Sequence, residues 1–167
     1  MNITKSLIIA FFIFPFNVMG TVPFVLVWLE KDVFYFSWFS LVFGGILIIF
    51  GIVIIYQTVA LFSGYGNGTP APYDPPKNFV GKGCYRFVRN PMMIGVFFVL
   101  FGEAIFFKSY LLLGWGLFFV TANLIYVPLI EEPELTARFG DSYLEYQRNV
   151  PRWLPMKEPW NHYINTK

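Results

Sequence analysis

Four long apolar stretches alternate with short polar segments along this chain, and ionisable residues are nearly absent from the apolar parts. A run of about 20 apolar residues is long enough for a helix that crosses a bilayer. The third stretch is the shortest, and it would cross only with local thinning of the bilayer. The pattern therefore predicts an all-α membrane protein with four transmembrane helices, at Leu7–Leu29, Ser37–Phe62, Met92–Phe107 and Tyr110–Ile130.

Two polar islands flank the second pair of apolar stretches. One is residues 81–91, just before the third stretch, and the other is residues 131–146, just after the fourth. If these two stretches form a helical hairpin, both islands lie at the same face of the membrane. Asn90 and Pro91 are typical of a helix start, with asparagine as the N-cap. The second island predicts a cytosolic helical tail whose apolar face consists of Leu135, Phe139, Tyr143 and Tyr146.

The composition agrees with a membrane protein. Hydrophobic residues make up 56 % of the 167 residues and aromatic residues 22 %, and the mean hydropathy is +0.57. A soluble domain of this size could not bury so much apolar surface. Lys and Arg are concentrated in the loop 63–90 and after residue 130, which predicts that this loop and both termini are cytoplasmic. The chain then divides into an N-terminal transmembrane hairpin, 1–62, and a second unit, 63–167, that holds the polar loop, the second hairpin and the tail.

The charge balance and the metal-binding residue types exclude several classes of function. The formal net charge of +2 is too small to indicate nucleic-acid binding. Cys84 and His162 are the single cysteine and the single histidine, so an intramolecular disulfide is excluded and a metal site is not expected. The partner expected from the composition is membrane lipid, and the oligomeric state is left open.

Paired charges are the candidate chemistry of the two islands. Glu131 and Glu132 are adjacent carboxylates at the end of a helix. Like charges and the negative end of the helix dipole make a cationic partner favourable there. Arg86 and Arg89 lie in the first island, and the hairpin would place them opposite the two glutamates. These residues are candidates for a polar ligand site at the membrane edge.

Glu103 lies inside the third apolar stretch. An acidic residue within a transmembrane helix is costly and is a functional candidate for that reason. The alternative is that Glu103 pairs with Asn123 or Lys108 across the hairpin, or extends to the far face of the membrane.

The order of these motifs resembles the isoprenylcysteine carboxyl methyltransferase family, whose superfamily also includes the phospholipid N-methyltransferases. The resemblance is carried by GCYRFVRNPMMIG at 83–95, by the hydrophobic hairpin, and by EEPEL(x)3FG(x)2Y(x)2Y(x)3VPR at 131–152. The glycine- and proline-rich segment 66–76 is similar to prokaryotic members. Together these features cover about half of the chain.

The resemblance implies an integral-membrane methyltransferase of a prokaryotic inner or plasma membrane that uses S-adenosylmethionine. Its acceptor would be a lipophilic small molecule or lipid that enters from the bilayer and is methylated on a carboxylate, amine or thiol. Carried over from the family, the cofactor-binding residues are Gly83, Tyr85, Arg89, Asn90, Pro91, Gly95, Glu131, Glu132, Tyr143 and Tyr146. The residues expected to act in catalysis are Arg89, Glu131, Arg152 and, for an amine acceptor, Glu103.

The chain departs from the methyl-ester-forming members at two positions. Those members have Arg-His-Pro-x-Tyr, whereas this chain has Asn90 and Met93 at the histidine and tyrosine positions. Asparagine does not titrate, so acid–base catalysis at residue 90 is excluded and the inference to a prenylcysteine substrate is weakened. Two alternatives stay open: an NADPH-dependent membrane reductase of the sterol-reductase type, and a non-enzymatic membrane protein in which the islands only anchor the hairpin.

Overall fold

The computed structural model describes residues 15–30, 37–66 and 76–161 of the chain. The loop 67–75, His162 and the first part of the first predicted span lie outside the described residues. Within them the protein is helical and contains no strand, which confirms the predicted all-α class. In chain order the helices are α1 (Asn17–Leu29), α2 (Trp38–Gly66), α3 (Pro91–Phe107), α4 (Tyr110–Phe139) and α5 (Asp141–Asn149), with a 3-10 turn at Gly83–Arg86 before α3.

Helices α2 and α4 are long and apolar enough to cross a membrane, whereas α1 and α3 are shorter apolar helices. Many large side chains of α2 point away from the protein, as shown by Ile49 and Tyr56, which are 64 % and 75 % exposed. Exposed apolar surface of this extent is rare on a soluble monomer and marks contact with an apolar environment. The outer surface of α2 therefore suits lipid.

The most extensive helix–helix contact joins α2 to α3, and the two backbones meet through glycines. A Cβ atom on Gly51 would lie 2.5 Å from the Gly95 carbonyl oxygen, and one on Gly44 would lie 2.7 Å from the Gly102 oxygen. In each helix the two glycines are about two turns apart, so they form one stripe along the contact. Glycine is required here because the backbones approach closely. The sequence analysis divides the chain into two units at residue 62. The α2–α3 contact joins these two units.

Helices α3 and α4 form the predicted hairpin. α3 ends at Phe107, and the chain turns through Lys108, which has a φ of 54°. Ser109 then begins α4, its hydroxyl accepting a hydrogen bond of 3.0 Å from the Leu112 amide. Because the turn is so short, α3 and α4 are antiparallel neighbours, and the start of α3 lies near the end of α4.

Helix α1 is attached to α4 at both ends. Trp115 Nε1 donates to the Val18 carbonyl at 3.1 Å. At the other end, the Glu30 carboxylate accepts hydrogen bonds from the Tyr110 amide, at 3.1 Å, and from the Ser109 hydroxyl. A carboxylate in this position satisfies amides that the helix leaves unpaired and opposes the positive end of the helix dipole.

Helix α4 continues past the end that the sequence predicts for it at Ile130. Val127–Glu131 forms a π-helical turn that contains Pro128, which has no N–H for the helical ladder. The helix then resumes and ends at Phe139, because Gly140 takes a φ of 57°. The helical tail therefore consists of two helices that meet at Gly140, the first of which is continuous with α4.

We expect Gly44→Ala to destabilise the protein, because its methyl group would press on backbone atoms of Gly102 and Phe106. The matched control is Gly45→Ala, whose methyl group meets nothing within 4 Å and whose alanine is the better helix former. Thermal unfolding in detergent should show a loss of about 1–3 kcal/mol for Gly44→Ala and no loss for Gly45→Ala. Equal melting temperatures for the two variants would contradict the glycine contact.

Glu30→Ala should also lower the free energy of unfolding, by about 0.5–2 kcal/mol, which is the usual effect of removing a helix cap. The control is Glu158→Ala, at an exposed position in the tail. Hydrogen exchange at the Tyr110 and Leu111 amides is the local measurement, since both amides donate to Glu30. If neither amide exchanges faster in Glu30→Ala, the carboxylate does not hold the start of α4.

Candidate active site

The two polar islands meet at Glu132, near the end of α4. Glu132 is only 4 % exposed, yet its carboxylate accepts hydrogen bonds from three side chains. Arg89 donates to Oε1 at 2.8 Å, and Arg152 donates from Nε to Oε1 at 2.7 Å and from Nη2 to Oε2 at 2.8 Å. Gln147 donates to Oε2, also at 2.8 Å. Residues from before α3, from α5 and from the tail therefore converge on one carboxylate.

This arrangement satisfies what a buried charge requires. An ionised carboxylate away from water needs both opposite charge and hydrogen bonds. Glu132 obtains both, and its oxygens have little capacity left for a further donor. The hydrogen bond to Glu132 raises the pKa of Arg152, so this guanidinium stays charged. We conclude that Glu132 positions the two arginines and does not itself exchange protons.

Backbone hydrogen bonds hold the tail against the segment before α3. Residues 151–160 run alongside residues 86–89, and three backbone bonds of 2.9 Å join them. The side-chain amide of Asn90 donates to the Arg152 carbonyl at 3.2 Å. Asn90 occupies the predicted N-cap position and Pro91 the first helical position, but the asparagine side chain makes no capping bond. Its amide instead fixes the backbone that carries Arg152.

The predicted site tyrosines lie in a buried aromatic cluster behind Glu132. Tyr143 and Tyr146 are 3 % and 2 % exposed, and the Tyr146 hydroxyl donates to the Tyr85 carbonyl at 2.7 Å. Phe79 packs on Tyr146 with 4.9 Å between ring centroids. Burial and then the negative charge of Glu132 raise the pKa of Tyr143 to about 12, so its hydroxyl is neutral at pH 7. The apolar face predicted for the tail is confirmed by this cluster.

Two buried polar atoms on residues next to Glu132 have no hydrogen-bond partner within the described residues. They are Nε of Arg89 and Oε2 of Glu131. Leaving buried polar atoms unpaired costs free energy, so such atoms call for an explanation. One is a donor on a cation and the other an acceptor on a carboxylate. A ligand that carries an anionic group and a cationic group would satisfy both.

A cavity of about 650 Å³ lies beside the paired segments, between the end of α2, the 3-10 turn and the tail. Gly83, which has a φ of 58°, lines it together with Lys82, Arg86 and Trp160. Arg86 donates from Nε to the Trp160 carbonyl at 2.9 Å and from Nη2 to the Asn161 side chain. The sequence places Arg86 opposite the two glutamates, whereas the structure bonds it to the tail at the border of this cavity.

An apolar groove of about 340 Å³ runs along the outside of the α3–α4 hairpin. Trp153 forms part of its wall, and this residue directly follows Arg152 in the chain. One end of the groove therefore lies next to the charges around Glu132. Its lining consists of Ile94, Phe97, Phe98, Phe101, Val120, Leu124 and Trp153.

Two of the predicted site residues lie away from Glu132. Gly95 faces α2, where it contacts the backbone of Gly51. Glu103 lies about 18 Å along α3 from its start, and its Oε2 has no hydrogen-bond partner in the part of the chain that the structure describes. The alternative pairing of Glu103 with Asn123 is not formed. The side-chain amide of Asn123 donates instead to the Phe119 carbonyl at 2.8 Å.

Sequence reasoning assigned no site role to Gln147 or Trp153. Gln147 lies four residues after Tyr143 and therefore on the same helical face. This spacing is the sequence feature that could have identified Gln147 as a site residue. Trp153 packs on Phe97 with 5.6 Å between ring centroids. Its place beside the hairpin depends on the fold of the tail, which the sequence pattern does not contain.

Similarity to known proteins covers this region. The phospholipid methyltransferase family model matches residues 39–142, more than half of the chain. Methanethiol S-methyltransferase from Mycobacterium tuberculosis (strain ATCC 25618 / H37Rv) is 32 % identical over 78 residues, which is 47 % of this chain and 29 % of that protein. The match thus spans less than a third of the relative's length. No solved structure matches the chain.

The residues matched by the family model include all of α3, the 83–95 motif and the Glu131–Glu132 pair. Arg152 lies beyond them, although it bonds to Glu132. The match agrees with the order of motifs in the sequence and with the two helices long enough to cross a membrane. This chain therefore belongs to the phospholipid methyltransferase family of membrane proteins.

Proposed function

We propose that this protein is an integral-membrane methyltransferase that uses S-adenosylmethionine and acts on a lipophilic acceptor. The observation that carries the proposal is the meeting of Arg89, Glu132 and Arg152 beside the unpaired oxygen of Glu131. The family match and the methyltransferase relative support a methyl-transfer reaction.

The residues present fit S-adenosylmethionine. The cavity beside Gly83 has a volume typical of small-molecule sites, and the Trp160 ring and the glycine backbone suit a nucleoside. The unpaired Glu131 oxygen suits the ammonium group of the amino-acid end, and the unpaired Arg89 nitrogen suits its carboxylate. When bound, S-adenosylmethionine supplies an electrophilic methyl group on a sulfonium.

The side chains of the site then divide into different roles. Glu132 holds Arg89 and Arg152 in place. Glu131 is assigned to the ammonium group of the cofactor and is therefore a binding residue here, not the base for an acceptor. An ionised carboxylate acceptor needs no base, and Arg152, whose side chain is 33 % exposed, would orient it. Glu103 lies too far along α3 to take part in this step.

The aromatic cluster supports the same reaction by excluding water. Methyl transfer needs an in-line approach of the two reacting atoms, so rigid positioning supplies much of the rate. Tyr143 and Tyr146 are buried and neutral, and they pack directly behind the charged residues. A ligand at Glu131 would therefore meet fixed side chains rather than bulk solvent.

We further propose that α1 to α4 all cross the membrane and that the polar site lies at its cytosolic face. The concentration of Lys and Arg in the loop 63–90 and after residue 130 supports this orientation. Both termini would then be cytosolic, and Glu30 would lie at the opposite face. The cofactor would enter from the cytosol of a prokaryotic cell, and the acceptor would enter from the bilayer.

We expect S-adenosylhomocysteine to bind the detergent-purified full chain with micromolar affinity in isothermal titration calorimetry, and NADPH not to bind. NADPH is the informative parallel ligand because Lys82 and Arg86 border the cavity and would also suit a phosphate group. Binding of NADPH alone would favour a membrane reductase. If neither ligand binds to protein that circular dichroism shows to be folded, the family match would indicate the fold alone.

Glu132→Gln and Arg89→Ala should each abolish S-adenosylhomocysteine binding, because each leaves buried charge without its counter-charge. The matched controls are Glu134→Gln and Arg148→Ala, at exposed positions. Calorimetry should show wild-type affinity for both controls, and the helical circular dichroism signal should be the same in all four variants. Wild-type affinity in both Glu132→Gln and Arg89→Ala would place the cofactor elsewhere.

A further inference from the structure

We infer that Arg86 is a positioning residue for the cofactor, because it holds Trp160 in the wall of the cavity beside Gly83. Arg86 acts on the nucleoside end of the cofactor through the Trp160 ring. This inference rests on the proposed function, since it assigns a further residue to the same cofactor site.

Arg86 bonds to Trp160 from both its backbone and its side chain. The Trp160 amide donates to the Arg86 carbonyl at 2.9 Å, and Arg86 Nε donates to the Trp160 carbonyl, also at 2.9 Å. Arg86 Nη2 donates in addition to the side-chain oxygen of Asn161. One residue thus pairs with both backbone polar groups of Trp160 and fixes the residue that follows it.

The guanidinium group is what makes this arrangement possible. Its nitrogens lie in one rigid plane, so Nε and Nη2 of Arg86 can donate to two acceptors on neighbouring residues at the same time. Both acceptors are neutral groups, a backbone carbonyl and an amide oxygen. A lysine at this position would keep the charge but has a single nitrogen on a flexible stem. The contact therefore depends on the geometry of the donors rather than on the charge alone.

The Trp160 ring has further fixed neighbours. It packs on the Tyr146 ring with 5.4 Å between ring centroids, and Tyr146 is only 2 % exposed. A Cβ atom on Gly81 would lie 3.4 Å from the Trp160 ring, so the ring also lies close to the backbone there. The same ring lines the cavity of about 650 Å³. An aromatic ring that is already held in place suits stacking on a nucleobase, because binding does not have to order it.

The rest of the tail does not depend on the Arg86 side chain. Residues 151–156 pair with the backbone of residues 87–89 through two hydrogen bonds of 2.9 Å. Arg152 is bonded to Glu132. A change of the Arg86 side chain should therefore loosen the end of the described tail and leave the charges around Glu132 in place.

The first test is the affinity of the detergent-purified full chain for S-adenosylhomocysteine, measured by calorimetry. We expect Arg86→Lys and Arg86→Gln each to weaken binding by about tenfold, a usual loss when a base loses its aromatic stacking partner. The matched control is Arg138→Gln, because Arg138 also donates to a backbone carbonyl, that of Pro76, but does not line the cavity. Wild-type affinity in Arg86→Lys, or an equal loss in Arg138→Gln, would overturn the inference.

A double-mutant cycle tests whether Arg86 acts through Trp160. Trp160→Leu alone should weaken S-adenosylhomocysteine binding by about tenfold. Arg86→Lys should add nothing in the Trp160→Leu background, because the ring that it positions is absent. A loss of about a hundredfold in the double variant would mean that the two residues act independently. That result, or wild-type affinity in Trp160→Leu, would overturn the inference.

Hydrogen exchange at the Trp160 amide of the ligand-free protein separates this inference from the proposed function. We expect faster exchange in Arg86→Lys than in the wild type, and unchanged exchange at the Val150 amide, which donates to the Tyr146 carbonyl. Faster exchange at Trp160 with wild-type affinity for S-adenosylhomocysteine would overturn this inference alone. If the wild type does not bind S-adenosylhomocysteine, the proposed function is overturned, and faster exchange would still show that Arg86 holds Trp160.

Discussion

The arrangement of the tail and of the segment before α3 depends on the buried carboxylate of Glu132. A charge in this position is stable only if opposite charge and hydrogen bonds surround it. The chain supplies them from three separate segments, through Arg89, Gln147 and Arg152. The tail is therefore docked on the hairpin by electrostatics and backbone pairing, and the aromatic cluster around Tyr146 fills the space behind it.

Different forces hold the apolar part together. In a bilayer, lipid tails solvate an apolar helix as well as another helix does, so burial of apolar side chains does not by itself favour helix association. The α2–α3 contact instead uses close backbone approach at Gly44 and Gly51. The α1–α4 contact uses polar groups, Trp115 at one end and Glu30 at the other. Specificity of packing comes from shape and hydrogen bonds.

Features encoded over a few turns of chain were predictable from the sequence, whereas those set by tertiary contacts were not. The lengths of the apolar stretches predicted the helices. The short connection between the third and fourth stretches predicted the hairpin that brings the two polar islands together. Arg86 bonds to the tail, and the Asn90 amide holds Arg152 instead of capping α3. Neither is visible in local spacing. The sequence predicts that the fourth helix ends at Ile130, whereas a π-helical turn that contains Pro128 continues it to Phe139.

The site residues were predicted unevenly for the same reason. Arg89 and Glu132 were found because charge next to an apolar helix is rare, and the structure joins them. Gly95 was selected by its position in the motif, and Glu103 by the free-energy cost of an acidic residue inside a transmembrane helix. Neither criterion tells which face of the helix the residue lies on. Gly95 is used for contact with α2. The binding and catalytic roles assigned to all of the predicted site residues, including Gly83 and Glu131, stay predictions.

The docking of the tail has a consequence for biogenesis. Arg89 precedes all of its bonded partners in the chain, and Arg152 follows both helices of the hairpin. During synthesis on a ribosome, α3 and α4 are therefore made before the second arginine exists. Until then Glu132 has at most one of its two cationic partners. The charge cluster around Glu132 is completed only when the segment that carries Arg152 has been translated and has folded back, so α3 and α4 are made before the cluster can assemble.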